Sequence, residues 1–363
     1  MRYAGLALKL ALLAFVVGLI ALVPRFASEF RLSQFTFVAV YFIALAGLNV
    51  LTGVSGQISL GHFAFVGVGA YTAALLMLGR SGLESYGLDP PGWLPLGDGM
   101  RGVFTIPLAG LVAGAFGYAF GLPAQRLAGV SLALATFAFA VSLPLVAKRF
   151  DDVTGGGGGL ALPLPETPFG WDVSTRHWLY YEAWVTAGVI AVIAWLFLRG
   201  RAGRALAALR DGEIAAVSAG VNPTTYKTFA FGVSAAFAGV AGAIFAIEVA
   251  YVNPDTFPLS QSILMLASLV LGGMGSLYGV LLGALIMQFL PVYAQTPPLL
   301  HGSFSKESPA VVFGVILIVI MFVAPDGLVG LLRRVLRPMM VRLRRHPAAT
   351  DETTFGTSRR AQT

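Results

Sequence analysis

Charge is what this chain has least of. Only 11% of its 363 residues are charged, against about 25% in an ordinary soluble domain. Apolar residues make up 57%, and the mean hydropathy is +0.80. Cysteine is absent altogether, which excludes a disulfide framework and a thiol nucleophile. The four histidines, His62, His177, His301 and His346, are scattered without metal-ligand spacing. No Gly-x4-Gly-Lys-Ser/Thr, His-Glu-x-x-His or Gly-x-Ser-x-Gly occurs, so a phosphate-binding loop, a zinc protease helix and a serine nucleophile elbow are all missing. No cofactor or metal is expected. Short segments of alternating polarity, the mark of an outer-membrane barrel, are also lacking.

What is present is a series of apolar runs: Leu6–Val23, Phe35–Thr52, Ile58–Leu78, Val103–Leu122, Leu127–Ala147, Ala183–Leu198, Thr228–Ala250, Ser260–Leu271, Leu277–Leu290 and Pro309–Ala324. A helix needs roughly 20 apolar residues to cross a bilayer, so the expected fold class is all-α, a polytopic helical bundle of about ten transmembrane or half-membrane helices. The eighth and ninth runs are short. They read either as two steep crossings or as one re-entrant hairpin. The first run, preceded by Arg2 and Lys9, resembles a signal peptide, but Phe26-Ala27-Ser28 is a poor cleavage site and Arg25 follows the run directly. It reads as a retained helix.

Charge placement sets orientation. With the N-terminus in the cytoplasm, 16 of the 24 basic residues fall on the cytoplasmic side, and most acids fall outside. The Lys/Arg bias supports this assignment, with both termini cytoplasmic. The net charge of +7 therefore suits membrane lipid rather than nucleic acid. The cluster Arg333, Arg334, Arg337, Arg342, Arg344 and Arg345 faces anionic headgroups. The chain divides into a membrane domain over 1–333 and a basic, disordered tail over 334–363. Two outer loops are long, Gly79–Gly102 and Lys148–Glu182. The second holds five consecutive glycines, Gly155 to Gly159, read as a flexible loop or as a platform that meets a partner.

One interruption stands out. Gly47 to Phe65 carries Asn49, Thr52, Ser55, Gln57, Ser59 and His62 between two apolar runs. Polar groups belong at membrane depth only where they meet protein or a water-filled cavity. Asn49, Ser55, Gln57, Ser59 and His62 are thus candidates for a path through the membrane, or for hydrogen bonds that hold helices together. A faint echo recurs at Gly273-Met-Gly-Ser-Leu-Tyr-Gly279. Interrupted segments in two halves of a chain point to a transporter's path, which adds Gly272, Gly273 and Ser276 as structural or gating candidates. Small residues at every fourth position, Gly110 with Gly114, Gly117 with Gly121, Ser234-Ala238-Gly242 and Gly275-Gly279-Gly283, predict close helix packing.

The spans themselves carry almost no ionisable groups. Glu248 lies near the outer end of its helix, facing the headgroups. A proton-driven carrier would need such groups in its interior. A passive channel or an externally powered permease fits better. The segment Arg199–Lys227 is too polar to cross, yet Ala205–Leu209 and Ile214–Ala219 read as short helices. Arg204 and Arg210 flank the first. Asp211 and Glu213 open the second, where acids complement the helix dipole. Gly220 suits its C-terminal end, with Pro223 just beyond.

Glu213-Ile-Ala-Ala-Val-Ser-Ala-Gly220 resembles the coupling loop of bacterial ABC importer permeases; Ala216 keeps the second Ala of that motif and Ile214 replaces the first. With Asn49–Ala73, Arg204–Ala250, Leu271–Gly279 and Pro325–Leu328, the chain resembles the LivM-type permease subunits of branched-chain amino-acid ABC transporters. The resemblance implies a bacterial inner-membrane permease that carries branched-chain or related amino acids into the cytoplasm. It also implies a homologous LivH-type permease, two cytoplasmic ATPase subunits that hydrolyse ATP, and a periplasmic substrate-binding protein as partners. Arg204, Arg210, Asp211, Glu213, Ala216 and Gly220 would form the ATPase-coupling loop. Two alternatives remain open: a related permease for urea, amides or aromatic acids, and a stand-alone channel or secondary carrier.

Overall fold

A computed structural model describes residues 18, 20–92, 94–127, 129–164, 174–295, 314–315, 318–319 and 327–331. Most of the first and tenth expected spans, and the tail over 334–363, lie outside these residues. Residues 20–26 are helical. The long helices are α1 (Glu29–Leu48), α2 (His62–Ser85), α3 (Gly102–Ala124) and α4 (Val130–Arg149). A one-turn helix, α5 (Asp151–Thr154), precedes α6 (Thr175–Arg199), α7 (Arg201–Asp211), α8 (Glu213–Ser218), α9 (Pro223–Val249), α10 (Leu259–Gly272) and α11 (Leu277–Gln295). Among the described residues seven helices are long and apolar enough to span a membrane, and a further apolar helix over Leu277–Tyr293 is shorter. The all-α bundle read from the sequence is the observed architecture. The described sheet consists of β1 (Leu160–Ala161) and β2 (Tyr251–Val252), paired antiparallel.

Burial sorts the helices into two classes. The apolar windows of α1, α2 and α9 are 83%, 78% and 83% buried. Those of α3, α4 and α6 are 33%, 22% and 28% buried, so these helices form the rim and turn apolar side chains outward, as a lipid-facing surface does. Helix α9 is the hub and packs against α3, α2 and α1. Its start lies five residues before the apolar run, because Asn222 caps it by accepting from the Thr225 amide and Pro223 occupies the first turn. Proline suits that position, where its missing N–H would have had no partner. The predicted break at Pro223 is thus the beginning of the next helix.

Glycine faces bring these helices close, as their spacing predicts. A Cβ on Gly110 would stand 2.7 Å from the Val240 side chain, and one on Gly114 3.0 Å from Ala236. Gly117 and Gly121 continue the same face against Ala235 and Phe231. Gly242 opposes Val66 and Ala70 of α2. Gly275 departs from the expected stripe: its φ of +77° places it in the turn between α10 and α11, not on a helix face.

The bundle has two distinct ends. At one, Glu248 of α9 meets Ser33 of α1 and Arg176 of α6, and Lys148 of α4 pairs with Asp255. At the other, Arg210 of α7 reaches Gly53. Helix α10 starts beside the first end and stops at Gly273, next to the second. Helix α11 then returns, with Gly283 against Ser268 and Phe289 on Phe35 near the start of α1. Helix α11 therefore runs back along both α10 and α1.

The glycine loop is structured. Gly155, Gly156 and Gly159 have positive φ, and the Gly158 carbonyl accepts from the Tyr251 hydroxyl at 2.5 Å. Asn253 Nδ2 donates to the Gly157 carbonyl at 3.2 Å. The loop is pinned against β2, which favours a platform over a flexible connection.

Candidate functional site

The polar interruption begins inside a helix. From Asn49 to Val54 the chain winds as a π-helix, a wide turn that occurs mostly as single insertions at functional places. The Thr52 hydroxyl donates to the Gln57 carbonyl at 3.0 Å, and the Ser55 hydroxyl donates to the Leu51 carbonyl at 2.7 Å. Gln57 Nε2 donates to Ser55 Oγ at 2.9 Å. Asn49, Ser55 and Gln57 are all buried. The Ser55 hydroxyl and the Gln57 backbone amide thus fold back on the end of α1 and share the Leu51 carbonyl, one of the last carbonyls that a helix cannot satisfy internally.

Beyond Gly56, at φ +73°, the chain is non-helical to Gly61. It turns back into the bundle rather than along its surface. The Leu60 amide donates to Thr136 Oγ1 in α4 at 3.0 Å, and the Phe63 amide donates to Ser262 Oγ in α10 at 3.1 Å. A Cβ on Gly47 would stand 3.2 Å from His62 Nε2. Gly47 lies six residues before Gly53, about 9 Å along a helix at 1.5 Å per residue. Helix α2 thus begins well inside the bundle. Ser59 and His62 are both fully buried, and the Ser59 hydroxyl has no hydrogen-bond partner among the described residues.

The second interruption meets the first. The Gly275 amide donates to Asn49 Oδ1 at 2.7 Å, and a Cβ on Gly53 would stand 2.8 Å from the Gly275 nitrogen. A Cβ on Gly327 would stand 2.7 Å from Gly273 Cα. Gly272 lies against Gly279 and Gly283 across the hairpin. Ser276 caps α11 by accepting from the Gly279 amide at 3.4 Å. The sequence echo between the two glycine breaks is therefore a spatial junction. Asn49 with Gly53, Gly273 with Gly275, and Gly327 gather at the Arg210 end.

The polar elbow sits on that junction. Arg210 Nη1 donates to the Gly53 carbonyl at 2.8 Å, and Arg210 also pairs with Asp211 at 3.1 Å. Asp211 closes α7 instead of opening α8, a difference of register from the sequence reading. Glu213 does begin α8 and pairs with Lys227 at 2.8 Å. Helix α8 ends as expected: Gly220 has φ +85°, its amide donates to the Val217 carbonyl at 2.9 Å, and the Val221 amide donates to the Ala216 carbonyl at 3.0 Å. This is the paired-bond, left-handed glycine terminus. Ala216 is buried under the elbow, while Ile214 is 86% exposed and Val217 is also exposed. Arg204 Nη1 donates to the Arg199 carbonyl at 2.6 Å and closes the end of α6.

Glu248 is a correction. The sequence places it toward the headgroups; its side chain is 2% exposed. Its Oε1 accepts from the Ser33 hydroxyl at 2.6 Å and from Arg176 Nη1 at 2.9 Å. Burial follows from these partners, because a desolvated carboxylate persists only where donors replace water. Thr136 and Ser262 also escape the sequence reading, which has Ser234 only as part of a small-residue face. Ser234 Oγ donates to the Gly47 carbonyl at 2.7 Å. The available signal was a lone hydroxyl in an apolar run, which marks a helix contact without naming its partner.

Comparison with known proteins agrees with this architecture. Residues 31–324 match the family model described as branched-chain amino acid transport system / permease component. The chain is 34% identical to the high-affinity branched-chain amino acid transport system permease protein LivM of Salmonella typhimurium, and 33% identical to LivM of Escherichia coli. Each match covers 90% of this chain and 76% of the relative. It is 26% identical to the permease protein LivH of Escherichia coli, over 80% of this chain and 91% of that one. No solved structure matches the chain. With the match spanning both glycine breaks and the elbow between them, the chain belongs to the permease-component family of branched-chain amino acid transport systems, as a multi-pass helical membrane protein.

Proposed function

We propose that the chain is the membrane-spanning permease subunit of an ATP-driven ABC importer. Its cargo is a branched-chain or related amino acid, and the Arg210 end faces the cytoplasm of a bacterial inner membrane. The observation that carries this reading is the elbow α7–α8. A six-residue helix held by a left-handed glycine and the Glu213–Lys227 pair turns Ile214 and Val217 outward. Exposed apolar side chains on an otherwise polar segment suit a protein partner, and in this reading that partner is an ATPase subunit. The relatives, named as branched-chain amino acid permeases of two kinds, LivM and LivH, support pairing with a homologous permease.

The rest of the assembly follows the same division of labour. ATP hydrolysis is left to two partner subunits. A periplasmic binding protein delivers substrate at the opposite end, where the glycine platform and β2 offer a structured surface. Residues 1–333 form the permease domain, and the basic stretch after it contacts anionic lipid. Asn49, Ser55, Gln57, Ser59, His62, Gly272, Gly273 and Ser276 border the inner part of the path. Closure of the ATPase pair moves the elbow, and the spans rock between two openings.

The test is reconstitution of the full complex in liposomes with the binding protein outside. Uptake should require ATP. The double variant Glu213→Ala, Gly220→Val should keep ATP hydrolysis and lose uptake. Transport by the purified chain alone, without ATP or partners, would sink the reading.

A further inference from the structure

We propose that Arg210 is the positioning residue that carries movement of the elbow into the two interrupted segments. The proposal rests on the reading of the elbow as the ATPase-coupling segment. Arg210 is the residue of α7 that is hydrogen-bonded to the π-turn, through Nη1 and the Gly53 carbonyl at 2.8 Å. That carbonyl belongs to the last turn of the helix, where carbonyls lack internal partners and a cation complements the dipole. The arginine stem also covers Gly56: a Cβ there would stand 2.8 Å from Arg210 Cγ. One side chain thus holds both the end of the π-turn and the first residue of the unwound stretch that leads to Ser59 and His62.

The π-turn in its turn holds the second interruption. Asn49 Oδ1 accepts from the Gly275 amide at 2.7 Å, and Gly53 lies against Gly275. Gly273, two residues earlier, lies against Gly327. A π-turn contains one residue more than the α-helical turn it replaces. Relaxation to an α-turn would rotate everything after it by one residue, about 100°. Here that rotation would sweep Ser55 and Gln57 around the end of α1 and pull on Ser59 and His62. Asn49 Nδ2 is fully buried without a partner among the described residues, and it is a donor that a shifted register could employ. In this proposal the π-turn, with its α-register as the alternative, is the two-state element that coupling between distant sites requires, and Arg210 is its hold on the elbow.

The experiment measures uptake and ATP hydrolysis together in proteoliposomes of the whole complex. Arg210→Gln should hydrolyse ATP at close to the wild-type rate while uptake per ATP falls about tenfold. Arg210→Lys, which keeps the charge and a single donor, should fall between. Arg201→Gln, exposed on the same helix, is the control and should keep the wild-type ratio. A purely structural role for Arg210 would lower assembly, hydrolysis and uptake in parallel and leave the ratio intact. An intact ratio in Arg210→Gln, with a lowered ratio in the Glu213→Ala, Gly220→Val variant, would overturn the relay and leave the elbow's role standing. An intact ratio in both, or uptake without ATP, would overturn the proposed function itself. The absence of cysteine permits a second readout that survives poor yield. Ser59→Cys should change its rate of thiol labelling when ATP binds in the Arg210 background, and should not respond in the Arg210→Gln background. Equal responses in the two backgrounds would overturn the relay.

Discussion

Gly47 is where α1, α2 and α9 meet, and replacing it with alanine tests that packing directly. A Cβ at this position would stand 2.5 Å from the Ser234 carbonyl oxygen of α9, 3.1 Å from Phe237 Cβ and 3.2 Å from His62 Nε2 of α2. Ordinary contact begins near 3.4 Å, so α1 and α9 must separate by about 0.9 Å or distort. The nearest obstacle is backbone, which cannot rotate away as a side chain could. Overpacking of this kind costs about 1–3 kcal/mol. The shift also strains the hydrogen bond from Ser234 Oγ to the Gly47 carbonyl, worth about 0.6 kcal/mol between membrane helices. Alanine returns about 1 kcal/mol through its higher helix propensity. The net is a loss of about 1–2 kcal/mol.

The control inverts the sign. Gly188 in α6 has nothing among the described residues within 4 Å of the position a Cβ would take, so Gly188→Ala should keep the propensity gain of up to about 1 kcal/mol. Gly114→Ala, 3.0 Å from a side-chain carbon, should fall between. Equilibrium unfolding of the purified protein in one detergent, or a thermal-shift series, gives the order. Equal stability of Gly47→Ala and Gly188→Ala would refute the claim that close backbone approach sets the position of α1.

Two further outcomes follow from side-chain partners. Arg176→Ala leaves the buried Glu248 carboxylate with the Ser33 hydroxyl as its remaining donor among the described residues. Breaking a fully buried pair costs about 3–5 kcal/mol, but Arg176 is 44% exposed, so about 1–2 kcal/mol is expected after screening; Glu248→Gln in the same background should recover most of it in a double-mutant cycle. Asn222→Ala removes the cap of α9, whose bond to the Thr225 amide is long at 3.4 Å; a loss of about 0.5–1 kcal/mol, read as faster hydrogen exchange over the first turn of α9, should be restored by Asn222→Asp.

Helix positions were legible because lipid leaves a spanning segment no other way to satisfy its backbone. The run Phe35–Thr52 thus lies within the observed Glu29–Val54, and Val103–Leu122 within Gly102–Ala124. The small-residue face of α3 was legible because its period is that of a helix surface. The end of α8 was legible because a left-handed glycine terminus is a local device. What stayed hidden depends on partners far away in the chain. Ser33 meets Glu248 across 215 residues, and Ser262 meets the Phe63 amide across 199. A hydroxyl or a carboxylate in an apolar run announces that a partner exists and is silent on which one. Gly275 shows the same limit, since its spacing fits a helix face and only its φ assigns it to a turn.

The two ends of the bundle are built from different contacts, and the difference has a mechanical meaning. At the Glu248 end, side chains join separate elements through charge-assisted bonds: Glu248 to Ser33 and Arg176, and Lys148 to Asp255. Each such link has a fixed partner and is lost whole when the elements part. At the Arg210 end, glycine backbones touch one another, with Gly53 on Gly275 and Gly273 on Gly327. Gly56, Gly273, Gly275 and Gly327 all have positive φ, where glycine alone moves freely among backbone conformations. The candidate path residues from Asn49 to His62 therefore begin at a junction of glycine backbones, and Arg210 bridges that junction to the elbow.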